Sequence, residues 1–286
     1  MPQSKRPVLL IDSNALIHRS FHALPPLEKA DGQIVNAVYG YASVLIRVIQ
    51  DLRPQDVIAV FDAPGKVFRH EKFPEYKATR QKAPQELYDQ IPLVKDLVTA
   101  FDIPVIDRQG FEADDIIGSL AKMISRDYDV PVIIVTGDMD ATQLIDSKIS
   151  LFTLRKGVND TVLMTPTEVE EKFGVTPEQI TDFKGLKGDA SDNIPGVPGV
   201  GDKTAQTLLG HFGTIESIYE AIDPVNDYAE LPTDLQTVIK KRIFNLLKGH
   251  KDQALLCKDL AIIKTDMDVE WKPNHQYADE LDVAKV

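Results

Sequence analysis

Cysteine is almost absent from this 286-residue chain, and the single Cys257 excludes both an internal disulfide and a zinc site built on paired thiolates. Long apolar runs are absent too. Stretches such as Val132 to Val135 fall far short of the roughly 18 residues that would cross a bilayer. The start, Met1 to Pro7, is polar and basic, without the apolar centre of a secretory signal. These absences lead us to expect a reduced, cytoplasmic protein with no membrane contact. Histidine is scarce, at six, and only His18 lies near the acidic motifs described below.

What is present is globular. A hydrophobic content of 43% rules out a disordered tail or a collagen-like fibre, and the length allows one large domain or two modest ones. Asp and Glu number 44 against 32 Lys and Arg, for a net charge of -12. An acidic balance argues against a polyanionic partner only on average, because the placement of charge decides.

Residues 1 to about 150 alternate short β-branched runs with amphipathic stretches. Val8 to Ile11, Val57 to Phe61, Ile103 to Ile106 and Val132 to Val135 read as strands covered on both faces. Between them, Ile34, Val38, Tyr41, Leu45, Val48 and Leu52 recur at helical spacing, as do Ile116, Leu120, Met123 and Ile124. This order predicts an α/β fold with a mostly parallel sheet and flanking helices. A strand pair over 150–154 and 161–164 is expected to rim the sheet. After a boundary near Gly174, helices are expected over 177–186, 202–211, 214–221 and 235–247, forming a small all-helical domain up to residue 265. Residues 266–286 read as a polar tail.

Three predicted strands end on carboxylates: Asp12, Asp62, and Asp138 with Asp140 just beyond it. In a parallel sheet these ends share one edge, where α/β proteins place their sites. Glu112, Asp114 and Asp115 open the helix after the third strand and reach the same edge. Each acid taken alone is also what a helix N-terminus favours. Seven together would repel one another unless cations or protons neutralised them. With no usable thiolate and little histidine, the donors are hard oxygens, which selects Mg²⁺, or Mn²⁺, over zinc. Two such ions form a centre that cleaves phosphodiesters.

Two basic runs stand against this acidity. Between Lys66 and Lys82, six cations face two acids and are interleaved with Phe68, Phe73 and Tyr76, a pattern suited either to nucleic acid or to a solvated loop. The second run, Lys240, Lys241, Arg242, Lys248 and Lys251, reads on its own as a solvated helix face. Gly196 to Ala205 fails the P-loop motif because Asp202 separates Gly201 from Lys203, but it fits a hairpin between helices whose backbone can approach a phosphate. Asp189 and Asp192 in the preceding turn bring the candidate ligands to nine.

From about Val8 to Asp268 the chain resembles the 5′ nuclease domains of bacterial polymerase I enzymes, within the flap endonuclease and 5′ to 3′ exonuclease family. The resemblance rests on Ile11-Asp12 with Arg19 to Leu24, Phe61-Asp62-Ala63 with Phe68 to His70, Tyr76 to Arg80, Glu112 to Asp115, Thr136 to Asp140 with Gln143-Leu144, and Gly188 to Asn193 leading into the glycine hairpin. It implies a PIN-like catalytic domain over 1–174 and a helix-hairpin-helix domain over 175–265. Asp12, Asp62, Glu112 and Asp114 then look like a first metal site, and Asp138, Asp140 and Asp192 like a second, with Asp115 and Asp189 as nearby acids. Residues 64–100 look like a helical arch that admits a 5′ single strand, from which Lys77 and Arg80 reach the scissile phosphate. Arg19, Arg69, Tyr76, Gly199, Gly201, Lys203 and Thr204 look like further DNA contacts, and the hairpin like a site for K⁺. Met139 departs from the family, where a Lys or Arg commonly separates the two aspartates.

The resemblance thus implies a monomeric, Mg²⁺-dependent nuclease acting on DNA with a 5′ flap, nick or 5′ single strand, with a polymerase domain in the same or a separate chain. The competing expectations are a non-catalytic DNA-binding module of the same fold and an aspartyl phosphatase. The basic run and the hairpin would be useless to the phosphatase.

Overall fold

A computed structural model describes residues 5–154 and 161–273. The chain divides into two compact units, one comprising 1–67, 82–165 and 263–286, the other 68–81 and 166–262.

The first unit is built on six strands: β1 (Val8–Asp12), β2 (Asp56–Val60), β3 (Val105–Ile106), β4 (Val132–Val135), β5 (Ile149–Leu154) and β6 (Thr161–Met164). Their order is β3-β2-β1-β4-β5-β6, all parallel except the β5–β6 pair. The expected sheet and its rimming pair are therefore present. Every residue of β1 and β2 is buried, which is why these segments carry unbroken apolar runs. The chain builds outward from β1 through β2 to β3, then returns to β4 on the other side of β1. The C-terminal ends of β1 and β4 thus flank a topological switch point, where open α/β sheets hold their ligands.

The covering helices of this unit are α1 (Ser13–Ala23), α2 (Asn36–Leu52), α3 (Gln90–Ala100) and α4 (Ala113–Asp127). In α2 the predicted apolar stripe faces inward, with Tyr41, Leu45 and Val48 buried. Residue Val35 gives α2 no side-chain cap; instead the fully buried Gln90 accepts from Ala37 N through Oε1 at 2.8 Å. Leu87, Val94 and Val98 are fully buried in the same core. The arch range expected over 64–100 is corrected accordingly, since its second half covers the sheet.

The polar stretch after residue 262 also differs from the tail expected from its lack of period. Residues 263–273 follow α4: Lys264 N donates to Asp115 Oδ1 at 2.9 Å, Met267 N to Ser119 Oγ at 3.2 Å, and Trp271 Nε1 to Asp56 Oδ2 at 2.9 Å. Gly118 lacks a side chain because a Cβ there would lie 2.7 Å from Ile263 Cγ2. The rest of the expected tail, 274–286, lies outside the described residues.

The second unit is helical: α5 (Pro166–Phe173), α6 (Ile180–Lys187), α7 (Asp202–Phe212), α8 (Ile215–Ile222), α9 (Thr233–Val238), α10 (Lys241–Gly249) and α11 (Lys251–Ala261), with a one-turn helix at Arg69–Lys72. The single helix expected over 235–247 is broken at Ile239 and Lys240, whose backbones are extended. The break lets Ile239 bury completely while Phe244 and Leu247 fix the rotation of α10. No helix among the described residues is long and apolar enough to cross a membrane.

Candidate metal centre and nucleic-acid interface

Asp12 closes β1 and caps α1, its Oδ1 accepting from Ala15 N at 3.1 Å. Its Oδ2 accepts from Thr136 Oγ1 at 2.6 Å across the switch point. Only 5% exposed, Asp12 is pushed up to about 7 by burial, against these hydrogen bonds and with Asp62 and Asp138 adding their charge. Capping and convergence therefore coexist at this residue. A carboxylate so placed is poised for a cation, which would offset both the burial and the repulsion.

Around Asp12 the other acids are tied to the same edge. Asp62 Oδ1 accepts from Ala113 N at 2.8 Å, which links the end of β2 to the first turn of α4, where Glu112 and the half-buried Asp114 sit. Asp138 Oδ1 accepts from Asp140 N at 2.9 Å. Thr136 Oγ1, which donates to Asp12, accepts from Asp138 N at 2.9 Å and so fixes two acids at once. Thr136 stood in the sequence motif without an assigned role, and only the parallel register Ile11 to Val135 brings it within reach.

Asp115 differs from its neighbours. It is fully buried, its Oδ2 accepts from Glu112 N at 3.2 Å in a capping box, and its Oδ1 accepts from Lys264 N. Both oxygens accept from backbone amides, so Asp115 positions Glu112 and the 263–273 segment. Among the described residues no three His, Cys, Asp or Glu side chains stand arranged to hold a metal ion. The donor chemistry still fits a divalent hard cation, since the converging groups are carboxylates of one sign.

The helical unit carries the remaining two acids. Burial works against the charge of Asp189, yet the Lys184 ammonium at 2.6 Å and both Ser191 donors hold it down to about 2. Asp192 is 4% exposed and gathers the basic run: Arg80 Nη2 lies 2.6 Å from Oδ1, Tyr76 Oη donates to Oδ2 at 2.9 Å, and Lys77 Nζ lies 3.8 Å from Oδ2. Lys77 N also donates to Asp192 O, and Asn193 Nδ2 to Glu75 O. Thus residues 75–80 and the Asp189 to Asn193 turn form one knitted piece.

Two expected DNA contacts are corrected by burial. Arg69 is 2% exposed, its Nε and Nη2 donating to Leu260 O at 3.0 Å and Ile262 O at 2.6 Å. It braces the helical unit and is not presented to a phosphate. Tyr76 is 3% exposed, so it offers no stacking face. Arg19 is half-buried, with Nη2 3.4 Å from Leu154 O.

The glycine hairpin has the form expected. Gly196 adopts φ +62, and a Cβ there would lie 2.2 Å from Gly188 N, so the turn closes only around glycine. Val197 N donates to Leu186 O at 2.7 Å, and Gly201 precedes α7 without a side-chain cap. Lys203 is exposed, and Thr204 half-buried, in the first turn of α7.

Comparison with known proteins bears on both units. A model of the 5′-3′ exonuclease N-terminal resolvase-like domain matches residues 7–174, and one of the 5′-3′ exonuclease C-terminal SAM fold matches 175–284. DNA polymerase I of Bacillus subtilis is 44% identical over 267 residues, 93% of this chain and 29% of that protein. DNA polymerase I of Mycobacterium tuberculosis is 39% identical over 84% of this chain and 27% of that protein. The chain therefore spans less than a third of these relatives' length. Among solved structures, the 5′-exonuclease of bacteriophage T5 with bound zinc superposes with a TM-score of 0.70 at 24% identity, over 90% of this chain and 89% of that one. The T5 flap endonuclease in complex with DNA and metal ions superposes with a TM-score of 0.71 at 22% identity, over 96% and 98%. These likenesses show a shared fold.

Proposed function

Because the chain belongs to the 5′-3′ exonuclease family, we propose that it hydrolyses phosphodiesters at 5′ ends and 5′ flaps of DNA with the help of divalent cations, Mg²⁺ first and Mn²⁺ as a substitute. The observation that carries this reading is the convergence of Asp12, Asp62 and Asp138 at the switch point of the sheet, with Glu112 and Asp114 beside Asp62. When bound, such cations supply activation of the attacking water and charge stabilisation for the phosphodiester and its leaving oxygen. Asp12, Asp62, Glu112, Asp114, Asp138 and Asp140 would hold them.

The chain's own groups do the rest. Thr136 and Asp115 keep the acids oriented through hydrogen bonds on their far sides. Lys77 and Arg80 direct positive charge at the scissile phosphate, while Gly199, Gly201, Lys203 and Thr204 approach the duplex backbone, where a potassium ion on hairpin carbonyls is part of the proposal. Phosphate contacts carry no sequence information, so selectivity follows from DNA shape and from a free 5′ strand. The length of the polymerase relatives supports a polymerase partner, in the same chain or a separate one, and a DNA substrate supports action in the cytoplasm.

A set of flap, nicked and blunt substrates sharing one sequence tests this. In Mg²⁺ the flap is expected to be cut fastest, chelation to stop all cleavage, and a bulky cap on the flap end to slow cleavage without changing duplex affinity. Binding of these substrates without cleavage in either Mg²⁺ or Mn²⁺ would instead identify a non-catalytic module. A capped flap cut as fast as a free one would remove the threaded strand.

A further inference from the structure

Gln143 stands in the Thr136 to Leu144 motif, yet neither the cation reading nor the DNA reading gives it a task. It lies in a short 3₁₀ helix, Asp140–Leu144, that opens on one of the proposed ligands. A 3₁₀ turn has poorer hydrogen-bond geometry than an α-helix, so it depends on its neighbours for orientation. Gln143 is half-buried and uses both ends of its amide: Nε2 donates to Asp140 O at 3.0 Å, and Oε1 accepts from Ile263 N at 2.9 Å.

The next residue repeats this arrangement on the other acidic turn. Lys264 N donates to Asp115 Oδ1 at 2.9 Å, and Asp115 Oδ2 accepts from Glu112 N at 3.2 Å. Two consecutive backbone amides thus reach two acidic turns, each through one side chain. A glycine closes the contact. A Cβ on Gly118 would lie 2.7 Å from Ile263 Cγ2, 2.9 Å from Lys264 O and 3.3 Å from Leu144 Cδ2. Gly118 lies within α4, where alanine is the better helix former, so what the glycine permits is the close approach of three pieces of chain.

We infer that Gln143 is a positioning residue of the cation centre, and that the 263–264 backbone clamps it and Asp115 so that the Asp138–Asp140 and Glu112–Asp114 turns keep one spacing. Gln143 acts through Asp140 and not on the substrate. Groups that orient ligands from behind set metal affinity, and their loss commonly costs about ten- to a hundredfold. A pair of ions makes a stricter demand, because both sets of ligands must be placed relative to each other. The clamp belongs to the first unit but follows the whole 166–262 segment in sequence, so the centre is complete only once the chain has returned from the helical unit.

The inference rests on the proposed cation centre, and the test separates the two. The full chain is titrated with Mn²⁺, with calorimetry reading affinity and electron paramagnetic resonance reading the coupling between ions. The parent is expected to bind two ions with a coupled spectrum. Gln143→Leu, which offers neither donor nor acceptor, is expected to weaken binding of the second ion by about tenfold or more and to reduce the coupled signal. Gly118→Ala pushes the clamp away from α4 without touching a proposed ligand, and should move both readouts in the same direction. Trp271→Phe is the structural comparison. It removes the bond to Asp56 Oδ2 further along the same segment, so it should lower the thermal midpoint while affinity and coupling stay parental.

Parental affinity and coupling in both Gln143→Leu and Gly118→Ala would overturn the clamp while the cation reading stands. A loss of coupling in Trp271→Phe that matches theirs at an equal drop in thermal midpoint would overturn it as well, because the effect would then be general loosening. If Gln143→Leu does not fold, Gly118→Ala and Trp271→Phe decide between the same outcomes. If the parent binds no Mn²⁺, the cation reading fails first and the clamp with it.

Discussion

Replacing Asp12 or Asp138 by alanine is expected to lower single-turnover cleavage of a 5′-flap substrate by on the order of 10³-fold, equivalent to about 4 kcal/mol, while duplex affinity in Ca²⁺ changes little. Both acids sit at the switch point, tied together by Thr136, and neither is proposed to touch DNA. Removing negative charge beside a polyanion gives no reason for weaker binding. Because Asp12 also caps α1, alanine there costs about 1 kcal/mol of stability independently of catalysis. Asp12→Asn retains a capping oxygen and isolates the loss of charge. Activity within about tenfold of the parent in all three variants would contradict a cation-assisted reaction at this edge.

Lys77→Ala and Arg80→Ala are each expected to lower the single-turnover rate by on the order of 10²-fold, with duplex affinity within a few-fold of the parent. Both cations pair with Asp192. A phosphodiester gaining charge in the transition state competes for them, and that interaction strengthens only as the reaction proceeds. Arg80→Lys keeps the charge but loses the fork and should fall between the parent and alanine. A loss confined to affinity would reassign both residues to general attraction.

The sheet was legible because buried parallel strands carry continuous β-branched runs, and the acids were legible because they stand where those runs stop. The finer division among the acids was not. Asp115 looks like its neighbours in Glu112 to Asp115, and only Lys264 N, supplied by a segment with no helical or strand period, pins its second oxygen. Arg69 and Tyr76 were read as DNA contacts because cations interleaved with aromatics give one pattern whether exposed or buried. The acceptors that bury Arg69 are Leu260 and Ile262, contacts that no local signal announces. Helical spacing continues through Ile239, so the break before α10 was invisible until burial of Ile239 showed what the extended backbone achieves. That same break puts Lys241 and Arg242 in the first turn of a new helix instead of the middle of an old one.

The most direct test is the anomalous difference density of crystals soaked in Mn²⁺. The account predicts Mn²⁺ bound by Asp12, Asp62 and their neighbours Glu112 and Asp114, with a second ion at Asp138 and Asp140, and loss of this density in Asp12→Ala and Asp138→Ala. Saturating Mn²⁺ that leaves this edge empty, or that binds only elsewhere on the chain, would contradict it.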